Sequence, residues 1–464
     1  MGSSSYRRFT IILFTLILIS RAKIIEARDI YVKLSGASKF SIGITEGSLV
    51  MTDSEGRVNN LGDSATVSVS GAYANISGHS FMLPIRITGN GFLKFNGRTY
   101  RGAFLVTAKG GLLNVLNVEN YLCGVLPAEV GASWHMEALR AQAISARTYV
   151  LKQSMKRAEK GYDVVDTDAD QVYRGAGVET AKTNQAVSST AGEVLTYGNE
   201  LAMTYFHSDS GGHTADIADV WGQSHPYLIG VPEVVSYKSP VSVWNAKFSN
   251  SRIQSVIKKV TGSDIGTIRE IQVSEVDEGG RAIRMTFIGA KGSKTIRASQ
   301  FRVALDPKTL KSTMFTPSGG SYNVQNTSTP SGLVAPQNPQ GKSSGNGLSF
   351  EEEQGIAKMT AEGLFTTTEL IDMLTNQAKQ KNYYNIGLGR RGNKNIPVQN
   401  QKPRNKYGYS IEKSGNDFVF YGRGWGHGVG LCQYGAMAMA EQGYKAEDIL
   451  AHYYPGTIVR KIKL

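Results

Sequence analysis

The spacing of apolar and polar positions changes character several times along the chain. Between residues 29 and 118, short runs such as Ile30–Leu34, Ala65–Val69, Phe81–Ile87 and Phe104–Ala108 carry β-branched or aromatic residues, with Gly, Asn and Asp between them. That pattern predicts strands. From Met136 to about Lys160, Ala, Leu, Gln, Arg and Lys dominate without an internal Gly or Pro, which predicts one long helix. Ser133 is its expected N-cap, Glu137 suits the first turn and Gly161 the stop. A second helix is expected over 181–190, then strands at Glu193–Tyr197 and Ala202–His207. Alternation returns over 268–297 and at Asp417–Tyr421, and helices are expected near Cys432–Gln442 and Ala446–Tyr453. The class is α+β.

One stretch departs from this order. Residues 316–347 are rich in Ser, Gly, Pro, Asn and Gln, a composition that buries too little to fold. Helical character follows from Ser349 to Lys379, with candidate capping boxes at Ser349/Glu352 and Thr366/Glu369. Residues 379–406 then carry eight Lys and Arg and no acidic residue, which reads first as a solvated face. We therefore divide the chain into a leader (1–27), a β-rich part (28–117), a core (118–315), an insertion (316–416) and the rest of the core (417–464). No internal repeat is found.

The leader changes how the bulk numbers are read. Arg7 and Arg8 precede an apolar run from Phe9 to Ile19, with small residues at Ser20 and Ala22. This is the pattern of a secretory signal, and the run is shorter than the roughly 20 residues that span a bilayer. Export is expected, with membrane attachment only if the segment stays uncleaved. A net charge of +13 would suit nucleic acid or another polyanion. For an exported protein nucleic acid drops out, and acidic wall polymers become the natural partners. Cys123 and Cys432 are the two cysteines, and one disulfide or two buried thiols both fit.

Three features carry chemistry. Glu129 lies among Leu126, Pro127, Ala128 and Val130, in what reads as a strand running into a loop before the long helix. Partial desolvation there would raise its pKa and hold a proton for general acid work, whereas the N-terminus of the following helix would oppose this. A local cap or ion pair is the bland alternative. Arg140 and Arg147 stand seven residues apart on one helix face, roughly 10 Å along the axis, a spacing that could bracket successive carboxylates of a polymer. Finally, Gly422, Gly424, Gly426, Gly428 and Gly430 alternate with Arg423, Trp425, His427 and Val429. In an extended chain the glycines would share one face, with Trp425 and His427 opposite to meet a sugar ring.

Three blocks together, 118–151, 205–231 and 422–457, resemble the SpoIID/LytB family. Their cores read NYLCGVLPAEV, YFHSDSGGHTADIADVWGQ and GRGWGHGVGLCQYGA. The resemblance covers most of 30–315 and 417–464 and leaves the insertion outside. It implies a SpoIID-type α+β core and a peptidoglycan lytic transglycosylase that cuts between N-acetylmuramic acid and N-acetylglucosamine to leave a 1,6-anhydro end. Glu129 matches the family's catalytic acid. Arg140, Arg147, Tyr173, His207, Ser210, His427 and Gln433 are the expected substrate contacts, and no cofactor is expected. Some relatives hold zinc through a cysteine pair. The matching positions here are Val164 and Asp170, so no metal is expected, and the even spacing of His207, His213 and Asp219 does not change that. Both cysteines fall in blocks that should flank the groove, which predicts that they lie close together. LytB-type members are enhancers of a cell-wall amidase, which leaves a second reading: a glycan-binding modifier with an amidase as partner.

Overall fold

The computed structural model describes residues 29–109, 111–316 and 409–463, together with Ile356, Met359 and Phe365. The expected leader, the capping boxes at 349 and 366 and the basic run lie outside the described residues.

The β-rich part supplies six strands of a seven-stranded sheet, which Val164–Val165 completes, and all of a six-stranded one. Ile30, Val32, Ile85 and Val106 from the first and Phe40, Ile42 and Val67 from the second share one apolar core. The strand expected over Phe81–Ile87 is in fact two, His79–Met82 and Ile85–Thr88, which pair in different sheets. Pro84 stands between them, where a ladder donor would be missing in any case.

Eight described helices follow: α1 (Val118–Glu129), α2 (Met136–Lys156), α3 (Ala181–Ser189), α4 (Ile217–Trp221), α5 (Asn250–Thr261), α6 (Ala298–Leu305), α7 (Gln433–Glu441) and α8 (Ala446–Tyr453). The segment leading to Glu129 is thus a helix and not the strand and loop expected. Asn117 caps it, its side chain accepting from the Asn120 N–H, and Tyr121, Leu122, Val125 and Leu126 pack inward. Short apolar runs read alike in a strand and a buried helix, and proline usually breaks a helix interior. Lying in the last turn, Pro127 removes only one backbone bond.

Helix α2 is buried on two sides. Leu139, Ala143, Ala146 and Val150 pack into the sheet core, while Ala138, Ala141, Ile144 and Tyr149 pack into a second core with α7 and α8. Small side chains all round suit such a central helix. Its N-cap is His135, whose Nδ1 accepts from the Glu137 N–H at 3.3 Å, and not Ser133. A third core joins α5 and α6 to strands 244–249, 268–276, 282–289 and 417–422. Phe315–Thr316 and Glu412–Ser414 both pair with the 417–422 strand, and Tyr409–Ser410 pairs with 268–276. The chain therefore leaves and re-enters the same layer, and re-enters it before the expected boundary at 417.

Candidate active site

Glu129 is the last residue of α1, set at one side of a groove of ≈ 900 Å³. The loop 168–172, the strand Phe206–His207, the end of α4, helix α6 and the 425–427 loop supply the remaining walls. Glu129 Oε1 accepts from the Val172 N–H at 2.6 Å, and the Gln433 side chain reaches the same carboxyl group from the start of α7. Burial pushes its pKa up to about 7 against the pull of these two hydrogen bonds, and the Asp168 carboxylate in the same groove adds to the rise. The position at a helix C-terminus acts in the same direction, because carbonyl dipoles there disfavour a negative charge. The sequence pointed instead to the N-terminus of α2, which would have opposed protonation.

The glycine alternation does not form a strand. The strand stops at Gly422, and Gly424, Gly426, Gly428 and Gly430 all have positive φ, so the segment coils as a loop. Two of them show why. A Cβ on Gly426 would lie 2.6 Å from His207 Cβ, and one on Gly428 would lie 2.7 Å from the Arg281 guanidinium carbon. The loop is thereby pressed against its neighbours, with Asp209 and Trp425 exchanging backbone hydrogen bonds at 2.9 and 2.8 Å.

This packing fixes two imidazoles side by side, with ring centroids 5.5 Å apart. His427 Nδ1 accepts from the Val429 N–H at 3.0 Å, and the ring also bonds the Phe206 backbone. Burial, then Arg302 and Arg281, lowers its pKa to about 3. His207 is buried, and its Nδ1 meets the Val429 carbonyl at 3.2 Å. A carbonyl can only accept, so Nδ1 carries the proton and Nε2 is left as a bare acceptor. That atom is buried without a partner among the described residues. Burial lowers the His207 pKa far below the usual range, and His427 and Arg281 add to this. Both rings are neutral near pH 7, so neither competes with Glu129 as an acid.

Aromatic surface completes the groove. Trp221 and Trp425 are each 37% exposed, which is high for indoles and suits stacking on a sugar face. Trp221 packs on Tyr205 and His427 at 4.8 and 5.0 Å between centroids.

Of the expected contacts, Glu129, His207, His427 and Gln433 come together in the groove. Four others do not line it. The Arg147 side chain is fully buried, forked onto Glu119 at 2.9 and 2.7 Å and bonded to the Val187 and Glu193 carbonyls. It ties α1, α2 and α3 together and offers nothing to a polymer. Arg140 pairs with Glu137 at 3.2 Å and Glu447 at 3.6 Å, toward α8. Tyr173 is buried with its hydroxyl donating to Asn114 Oδ1 at 2.7 Å. Ser210 is buried below the groove, donating to Glu233 Oε1 at 2.5 Å. Both cysteines are free, so of the two states the sequence left open the structure takes the unpaired thiols. Cys123 belongs to the sheet core and Cys432 to the α7–α8 core, where its sulfur accepts from the Ser210 and Gly435 N–H groups.

Asp168, Trp221 and Arg302 were not foreseen. Trp221 lies within the second block of the resemblance and could have been picked out as a Trp beside a Gly. Asp168 and Arg302 reach the groove only through tertiary packing, and no local pattern marks them.

Residues 107–197 match the family model described as Stage II sporulation protein, SpoIID. The chain is 27% identical to the amidase enhancer of Bacillus subtilis (strain 168) over 72% of its own length, and spans 40% of that longer protein. It is 26% identical to stage II sporulation protein D of the same organism, over 73% of each chain. An uncharacterized protein of Brachyspira hyodysenteriae is also 26% identical, over 80% of this chain and 74% of that one. The matched model spans α1, Glu129 and α2, the elements that build one wall of the groove, so it is in this part that the chain is similar to the SpoIID family.

Proposed function

We propose that this protein is a peptidoglycan lytic transglycosylase with Glu129 as its single acid–base residue. The observation that carries the reading is the Glu129 carboxyl group, poised at about 7 by burial in a sugar-sized aromatic groove that it shares with Asp168 and Asp170. A group poised there can be protonated to donate and, once ionised, can accept. In the proposed reaction Glu129 gives its proton to the glycosidic oxygen as the C1–O bond breaks. The resulting carboxylate then takes the proton of the muramic acid C6 hydroxyl as C6–O closes on C1. No water enters, so no second carboxylate is needed to activate one. The two partly exposed tryptophans give sugar rings a surface to stack on. The site of action is the cell wall, outside the cytoplasm.

Glu129→Gln keeps the shape of the side chain and removes the transferable proton. Cleavage of purified sacculi should fall by about 10⁴-fold or more, since one group serves both steps. Binding to glycan should persist. A variant that cuts at the parent rate would overturn the mechanism.

A second reading rests on the similarity to the amidase enhancer. Under it the groove binds glycan and presents it to a separate amidase. Glu129→Gln would then leave amidase stimulation intact, whereas a catalytic role would remove glycan cleavage and leave no cut product.

A further inference from the structure

We infer that Arg302 anchors a carboxylate subsite in the groove, one that recognises the acid group borne by the sugar ring itself. The inference rests on the glycan reading of the groove. Arg302 lies in the last turn of α6 and lines the groove, yet it is only 9% exposed. Its Nε donates to the Leu310 carbonyl at 2.9 Å and its Nη2 to the Pro307 carbonyl at 3.1 Å. These neutral acceptors fix the plane of the guanidinium without neutralising it. Among the described residues no carboxylate lies within ion-pair distance of it. Asp306, the acid that acts on it electrostatically, is engaged with the Lys308 N–H and the Thr309 hydroxyl.

Its surroundings are positive. Burial, and after it the charge of the buried Arg281, lowers the Arg302 pKa to about 10. Lys308 lines the same wall, and the Lys311 ammonium sits 5.4 Å from the Trp425 ring centre. A nearly buried cation held flat, backed by a second and facing open volume, is costly unless an anion meets it. A carboxylate suits the guanidinium fork better than it suits a lysine. The carboxylate recognition that the sequence suggested for Arg140 and Arg147 thus passes to a residue of α6.

The test compares two ligands on the whole protein: a short muramic acid-containing oligosaccharide with its acid free, and the same compound with that acid converted to a neutral methylamide. Wild type should bind the free acid at least about tenfold more tightly, and the preference should shrink in salt. Arg302→Met should bind both compounds equally, while Arg302→Lys should keep part of the preference, which a purely structural role would not do. Equal binding of the two ligands by wild type overturns the subsite and leaves the glycan reading standing. That arm needs no variant and so survives a substitution that fails to fold. Binding of neither compound overturns both readings together.

Discussion

At the scale of single residues, the state of one proton organises the groove. Glu129 titrates near 7 in the fold and near 4.5 as an ordinary glutamate, so the folded protein holds the extra proton between those values. Stability from this group is therefore present at low pH and falls as pH rises from about 4.5 to 7, by on the order of 3 kcal/mol. Glu129→Gln carries no such penalty. Thermal melts should show the variant near parent stability at pH 5 and above it at pH 8; parallel curves across that range would mean the carboxyl group is not held protonated. Cleavage by wild type should likewise decline above about pH 7 as the acid form is lost. Glu129 was legible in the sequence because its apolar neighbours are adjacent in the chain. The cause of its shift was only half legible, since the end of α1, the Val172 N–H and Gln433 meet it only in three dimensions.

At the scale of elements, α2 shows what a sequence pattern can miss. Arg140 and Arg147 do share a helix flank, but α2 has no face given over to solvent, and Arg147 is locked into Glu119 and three backbone or hydroxyl acceptors. Removing one partner of a buried ion pair typically costs about 3–5 kcal/mol. Arg147→Met should lower the melting temperature markedly and leave glycan affinity of the folded fraction unchanged at all salt concentrations. A salt-dependent loss of affinity without a loss of stability would contradict the buried assignment. Arg140→Ala, removing a partly exposed pair, should shift stability by no more than about 1 kcal/mol. The glycine loop teaches the converse. Its Trp425 and His427 do line the groove, but alternation alone suggested an extended strand, while the positive φ values and the contacts with His207 and Arg281 decide for a coil. Helices α3, α7 and α8 lie close to where the sequence predicts them, because each combines a clear period with a clear stop.

At the scale of the whole molecule, the groove is assembled from pieces far apart in the chain: α1, the 168–172 loop, α4, α6 and the 425–433 segment. The sequence between 317 and 408 enters from one strand layer and returns to it. Replacing 318–406 by a short Gly/Ser bridge should therefore leave glycan cleavage largely intact and weaken retention on wall material at moderate salt. Met359 and Phe365 are buried, so a modest drop in melting temperature should accompany the deletion. Loss of cleavage by a folded deletion variant would place that segment in the active site. The central claim is that one carboxyl group cuts glycan without water. Its most direct measurement is the mass of the ends released from purified sacculi, both intact and amidase-stripped. The account predicts fragments ending in 1,6-anhydromuramic acid, one water lighter than hydrolysed ends, from wild type and none from Glu129→Gln. Reducing ends of hydrolysed mass, or no released glycan under any condition, would contradict it.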